Sequence, residues 1–253
     1  MKKILDFMIV LFAVIGVISF VSTVTDKVDR PSDKPETDVT EETDVDFSQL
    51  RYVAFGDSIT AGDGLADRND SYPCVVGKIL GCKVTNKGYG GSTLAYYSER
   101  RCVANEVISV ANGTGRYQII SCTGGINDKS WGLPLGTIND KTNETIYGSL
   151  YLIATTLKTN YPDAFIFFIT PIKNPSSEVD CKAGYNLEDI SNAIKEVAAK
   201  YDIPVLDLYN TSQFETVDCG MNNENCDGTH PLKEFVAEYM APQIAQYIKD
   251  NYR

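Results

Sequence analysis

The sequence predicts an α/β domain built on a five-stranded parallel sheet with helices on both faces. Two observations carry this: five short apolar runs rich in β-branched and aromatic residues recur after residue 48, and helical patterns separate them. Alternation of that kind requires parallel strands joined by crossovers. The first run is Tyr52–Phe55, followed at once by Gly56-Asp57-Ser58-Ile59-Thr60. The second is Cys82–Thr85 and the third Tyr117–Cys122, each running into a glycine-bearing loop. A helix is expected from Glu144 to Thr159, then a fourth strand at Ala164–Thr170. Leu187, Ile190, Ile194, Val197 and Ala198 follow at helical spacing behind Asn186, a capping residue. Ile203–Leu208 is the fifth strand, and a last helix is expected from Pro231 to Asn251. Active crevices in such sheets lie beyond the carboxyl ends of the strands. The loops after Phe55, Thr85, Cys122 and Leu208 should therefore converge.

The N-terminal part has a different character. Phe7 to Thr25, behind Lys2 and Lys3, carries no charge. At 1.5 Å per residue it spans about 28 Å, close to the hydrocarbon thickness of a bilayer. No Ala-x-Ala cleavage site follows, so residues 1–25 read as a membrane anchor rather than a cleaved signal peptide. In either case the rest of the chain faces outside the cytoplasm. Residues 26–47 are expected to form a disordered acidic linker; from Asp26 to Asp46 there are nine acids and three bases. Residues 48–253, about 205 in all, then suit one domain. The net charge of −11 leaves no basic stripe for a phosphate backbone, so no nucleic-acid partner is expected. With a single histidine, His230, and no Cys-x-x-Cys, no metal site is expected either.

The four converging loops hold the chemistry. A serine just past a strand end, behind a turn-permitting glycine, suits an exposed nucleophile, although Ser58 taken alone reads more readily as a helix cap. Asn86-Lys87-Gly88-Tyr89-Gly90-Gly91-Ser92-Thr93 by itself suits a phosphate-cradling turn or simply a flexible one, and Gly124-Gly125-Ile126-Asn127-Asp128 an ordinary turn. The last loop, Cys226-Asp227-Gly228-Thr229-His230-Pro231, puts an acid three residues before the histidine. A serine hydroxyl needs a base, and an imidazole needs an acceptor to fix its tautomer. Asp227 on Nδ1 of His230 would leave Nε2 for Ser58; the competing reading is a surface histidine at the start of the final helix.

Together these segments resemble the four sequence blocks of the SGNH (GDSL-type) hydrolase superfamily, in order and across residues 50–250. The resemblance implies a flavodoxin-like three-layer α/β/α sandwich and a serine esterase without a cofactor. It implies Ser58, Asp227 and His230 as the catalytic triad, and Ser58, Gly91 and Asn127 as donors of the oxyanion hole. Asp57, beside the nucleophile, is expected to fix the turn. Two positions depart from the pattern. Ile59 stands where leucine is usual, and Leu232-Lys233-Glu234 follows Pro231 where relatives often carry an asparagine and a glycine.

Substrate is less legible. Trp131, in the segment 129–143, together with Tyr89, Tyr96 and Tyr97 could line a sugar-binding wall, although aromatic residues more often pack. An exported enzyme without a long apolar stripe suggests a carbohydrate O-deacetylase acting on a small-molecule or polysaccharide ester. A lipase or lysophospholipase is the alternative, and a non-catalytic cell-surface binding module is the reading from another class. A monomer is expected, touching membrane only through its N-terminus. Of seven cysteines, some should pair outside the cell, Cys219 and Cys226 bracket a short loop that a disulfide could brace, and Cys122 is the expected free thiol.

Overall fold

A computed structural model describes residues 45–98, 100–212 and 228–253. The expected anchor, all but the end of the acidic linker, and residues 213–227 lie outside the described residues. Among the described residues no helix is long and apolar enough to cross a membrane.

The strands are β1 (Arg51–Gly56), β2 (Lys83–Gly88), β3 (Ile119–Cys122), β4 (Phe165–Ile169) and β5 (Val205–Leu206). All pair in parallel, in the order β2-β1-β3-β4-β5. The five apolar runs are thus the five strands of the predicted sheet. Their limits differ where side chains are not what decides pairing. β2 continues through Asn86, Lys87 and Gly88 because their backbones extend the ladder opposite Ala54, Phe55 and Gly56. It is an edge strand, so polar side chains are tolerated. β5 is only two residues long, and Pro204 ahead of it contributes a carbonyl, to the N–H of Phe168 at 2.9 Å, but no donor.

The helices are α1 (Ser58–Ala61), α2 (Tyr72–Leu80), α3 (Val103–Ala111), α4 (Ile126–Trp131), α5 (Ile146–Asn160), α6 (Leu187–Lys200), α7 (Leu208–Thr211), α8 (Lys233–Phe235) and α9 (Ala241–Asn251). α2 packs on α9 in one layer, while α5 packs between α3 and α6 in the other. α6 starts where Asn186 predicts: its side chain accepts the N–H groups of Glu188 and Asp189, and the Asp189 carboxylate accepts the N–H of Asn186 at 2.8 Å. Such a reciprocal cap is worth about 1 kcal/mol. The final helix departs from expectation. It begins at Lys233 and passes through a π turn at Val236–Met240. Pro242 has no N–H to offer the carbonyl four residues back, so regular bonding cannot run through this stretch.

Tyr52, Phe55, Ile119, Ile120, Phe167 and Phe168 are fully buried and carry the sheet's share of the core. The Tyr52 and Ser121 hydroxyls, 2.7 Å apart, satisfy each other inside it. At the domain's start, Asp46 caps a short 3₁₀ turn over Phe47–Gln49, and the Phe47 ring lies 5.7 Å from that of Tyr252. Phe47, which composition assigns to the linker, is therefore packed. Cys74, Cys82, Cys102, Cys122 and Cys181 are all unbridged, so the expected pairing does not occur among them, and Cys122 is a buried free thiol as expected. Cys219 and Cys226 lie outside the described residues.

Candidate active site

The register sets Gly56 of β1 beside Gly88 of β2, and Phe55 beside Cys122 of β3, so three strands end at one level. The chain turns from β1 straight into α1. A Cβ on Gly56 would stand 2.1 Å from Thr60 Oγ1, so only glycine lets α1 fold back this closely. Asp57 caps the helix, its carboxylate accepting the Ile59 N–H at 3.0 Å. Burial pushes the Asp57 carboxyl above the usual range, opposed by that N–H and by the nearby His230. Its side chain is spent on the turn. From β2, Asn86 Nδ2 donates to the Thr60 carbonyl at 2.7 Å while its Oδ1 accepts the Gly88 N–H at 2.9 Å, fixing α1 against the edge strand.

Ser58 is the first residue of α1, so no intrahelical bond takes its N–H. The residue is only 8% exposed, more enclosed than the sequence suggests. His230 is the reason its hydroxyl is oriented. Nε2 of His230 lies 2.7 Å from Ser58 Oγ, across 172 residues of sequence. At that distance a neutral imidazole nitrogen can accept the hydroxyl proton. Asp227, the expected third member, lies outside the described residues.

Gly91 and Asn127 come together through Ser92. Gly91 has φ +71°, a left-handed conformation that favours glycine. Asn127 Nδ2 donates to the carbonyl of Ser92, the next residue, at 2.8 Å. A primary amide has two N–H donors, so one remains for another acceptor. Asp128, which reads as an ordinary turn residue in the sequence, is fully buried, and its two oxygens accept the N–H groups of Leu94 and Ala95 at 2.8 Å each. Burial pushes its pKa up to about 7, against the pull of those two amides. The signal that could have exposed it is an acid next to Asn127 at the mouth of a wholly buried strand.

The aromatic wall is partly present. Trp131 ends α4, 37% exposed, with the Tyr97 ring 5.5 Å away. Arg100, which the sequence does not single out, sits on this pair: its Cζ is 5.1 Å from the Trp131 centroid. Tyr89 is covered instead by Arg101, at 4.0 Å. Among the described residues no group of three or more His, Cys, Asp or Glu could hold a metal ion.

A serine and histidine at the carboxyl end of a 2-1-3-4-5 parallel sheet, flanked by a glycine turn and an amide, define the class of flavodoxin-like hydrolases. The sequence profile of the GDSL-like Lipase/Acylhydrolase family matches residues 54–234, and the chain belongs to that family, within the SGNH superfamily. It is a carboxylic ester hydrolase. Among solved structures, a Lactobacillus plantarum protein is 26% identical with a TM-score of 0.69, covering 81% of this chain and 99% of its own. A lipase/acylhydrolase from Enterococcus faecalis is 20% identical with a TM-score of 0.57, over 81% of this chain and 98% of its own. The aryl esterase of M. smegmatis is 16% identical with a TM-score of 0.56, over 79% and 99%. The last two show likeness of fold alone. No curated protein matches the chain in sequence.

Proposed function

We propose that the chain is an exported serine esterase that removes O-acetyl groups from carbohydrate by a Ser58–His230–Asp227 mechanism. The observation that carries the mechanism is the 2.7 Å approach of Ser58 Oγ to His230 Nε2. Ser58 Oγ attacks the ester carbonyl carbon as its proton passes to Nε2, and Asp227 holds the other ring nitrogen. The oxyanion is met by the Ser58 and Gly91 N–H groups and by the Asn127 Nδ2–H that Ser92 leaves free. Collapse expels the alcohol, which takes the proton back from His230. Water then gives a proton to His230 and attacks the acyl-serine, releasing the acid and restoring Ser58.

The carbohydrate reading is supported by the exposed Trp131 at the end of α4, backed by the half-buried Tyr97 ring, an aromatic edge of the kind that meets the C–H face of a sugar. Export is supported by the uncharged stretch Phe7–Thr25 behind Lys2 and Lys3, followed by the acidic tether. Two measurements test these points. Turnover of p-nitrophenyl acetate, butyrate and octanoate should fall with chain length, and acetate should be released from acetylated polysaccharide. A rising profile identifies a lipase-type enzyme instead, and no turnover of any ester identifies a binding module. Protease added to intact cells should digest the domain; full protection overturns export.

A further inference from the structure

We infer that Arg100 makes this site selective for esters that carry a negative charge, such as acetate esters of acidic sugars; the inference rests on the acetyl-esterase reading above. Position is the first argument. A Cβ placed on Gly91 would stand 3.0 Å from Arg100 Nη1, so the guanidinium lies against the turn proposed to meet the oxyanion.

Orientation is the second. The guanidinium stacks on Trp131, with Cζ 5.1 Å from the ring centroid. Stacking uses the face of the group and leaves its N–H edge available for a planar, two-point contact with a carboxylate.

Charge is the third. Neighbouring cations are neutralised: Arg101 and Lys87 both pair with Glu106, at 3.6 and 3.1 Å, and Arg68 pairs with Asp63 at 2.8 Å. Asp63, whose Oδ2 lies against Gly90 in this turn, is held by Arg68. Arg100 is exposed and has no ion-pair partner among the described residues. In a chain of net charge −11, which repels anions at long range, one guanidinium without an ion-pair partner beside the Gly91 turn is a local exception. Core packing does not require it.

The test compares 4-acetoxybenzoate with its methyl ester, which share the acetyl group and ring and differ in charge. kcat/KM for each is measured with the wild type and Arg100→Gln, and the anionic-to-neutral ratio is compared between enzymes, so intrinsic reactivity cancels. The ratio should fall about 5–10-fold in Arg100→Gln, the scale of one partly solvated charge-assisted contact. A fall of less than about threefold overturns the inference, including the case where both esters slow equally because Arg100 acts on the oxyanion. Turnover of neither ester by the wild type would instead remove the acetyl-esterase reading on which the inference rests.

Discussion

Asp128 accepts the backbone N–H of Leu94 at 2.8 Å, bridging 34 residues of sequence. Its second oxygen accepts the N–H of Ala95 at the same distance. One carboxylate thus joins the loop that follows Gly91 to α4, which begins at Ile126. Tyr185 buttresses the other end of α4, its hydroxyl donating to the Leu133 carbonyl at 2.7 Å.

Removing that carboxylate should loosen both halves at once. Asp128→Ala leaves two buried amides without acceptors, at about 1–3 kcal/mol each. Because burial lifts Asp128 from 3.8 to about 7, the folded protein holds a proton that the unfolded chain releases. The stabilisation from that proton is complete below pH 4 and is lost as pH rises through about 7. Urea midpoints should therefore show the wild type losing its lead over Asp128→Asn between those values. A constant difference would place the carboxyl in its ordinary range.

Activity should have an acidic limb, because a protonated imidazole cannot accept the Ser58 proton. A lone histidine makes His230 the only candidate from sequence, but Asp128 near 7 is a second one. The acidic limb of kcat/KM should survive in Asp128→Asn. Its disappearance would assign the limb to the buried carboxyl.

Ser58→Ala should abolish esterase activity by several orders of magnitude while changing stability by only about 0.5–1.5 kcal/mol, the worth of one hydrogen bond. Activity above about a tenth of wild type would refute the nucleophile, since loss of a triad member costs far more than that.

Asn127→Ala should lower kcat by about 10²–10³-fold with little change in KM, as expected for a donor used only once charge develops. A normal kcat with a raised KM would show that the amide holds ground-state substrate instead.

A chain beginning at Asp46 should be folded and active, because it keeps the capped turn and the Phe47–Tyr252 contact. One beginning at Arg51 loses the Phe47 and Leu50 side chains from the core edge and should be less stable by about 1.5–3 kcal/mol. Equal denaturation midpoints would put the domain's start where composition alone puts it.

The sheet was legible because β1, β3 and β4 are buried on both faces and so read as unbroken apolar runs. The end of β2 was not, since Asn86 and Lys87 pair through their backbones on an edge. α2 and α3 also escape a periodicity reading: each is nine residues long, and α2 contains Pro73 and Gly77. Ser58, Gly91, Asn127 and His230 could be read only as a set, because each alone is an ordinary turn residue. The position of Asp128 beside Asn127 was the one hint of its part, and Arg100 could not be read at all. The partners of Asp128 are backbone amides distant in sequence, and the place of Arg100 depends on a glycine having no side chain.

The 172 residues between Ser58 and His230 also set the order in which competence arrives during synthesis. The nucleophile, glycine turn and amide all emerge from the ribosome before the base does. The segment carrying that base leads into α9, which docks on α2 near the start of the domain. Closing such a long loop is a late and slow event in folding. On the proposed mechanism a nascent or truncated chain carries an inert serine, and ester cleavage in a refolding experiment is a clock for the docking of the last helix.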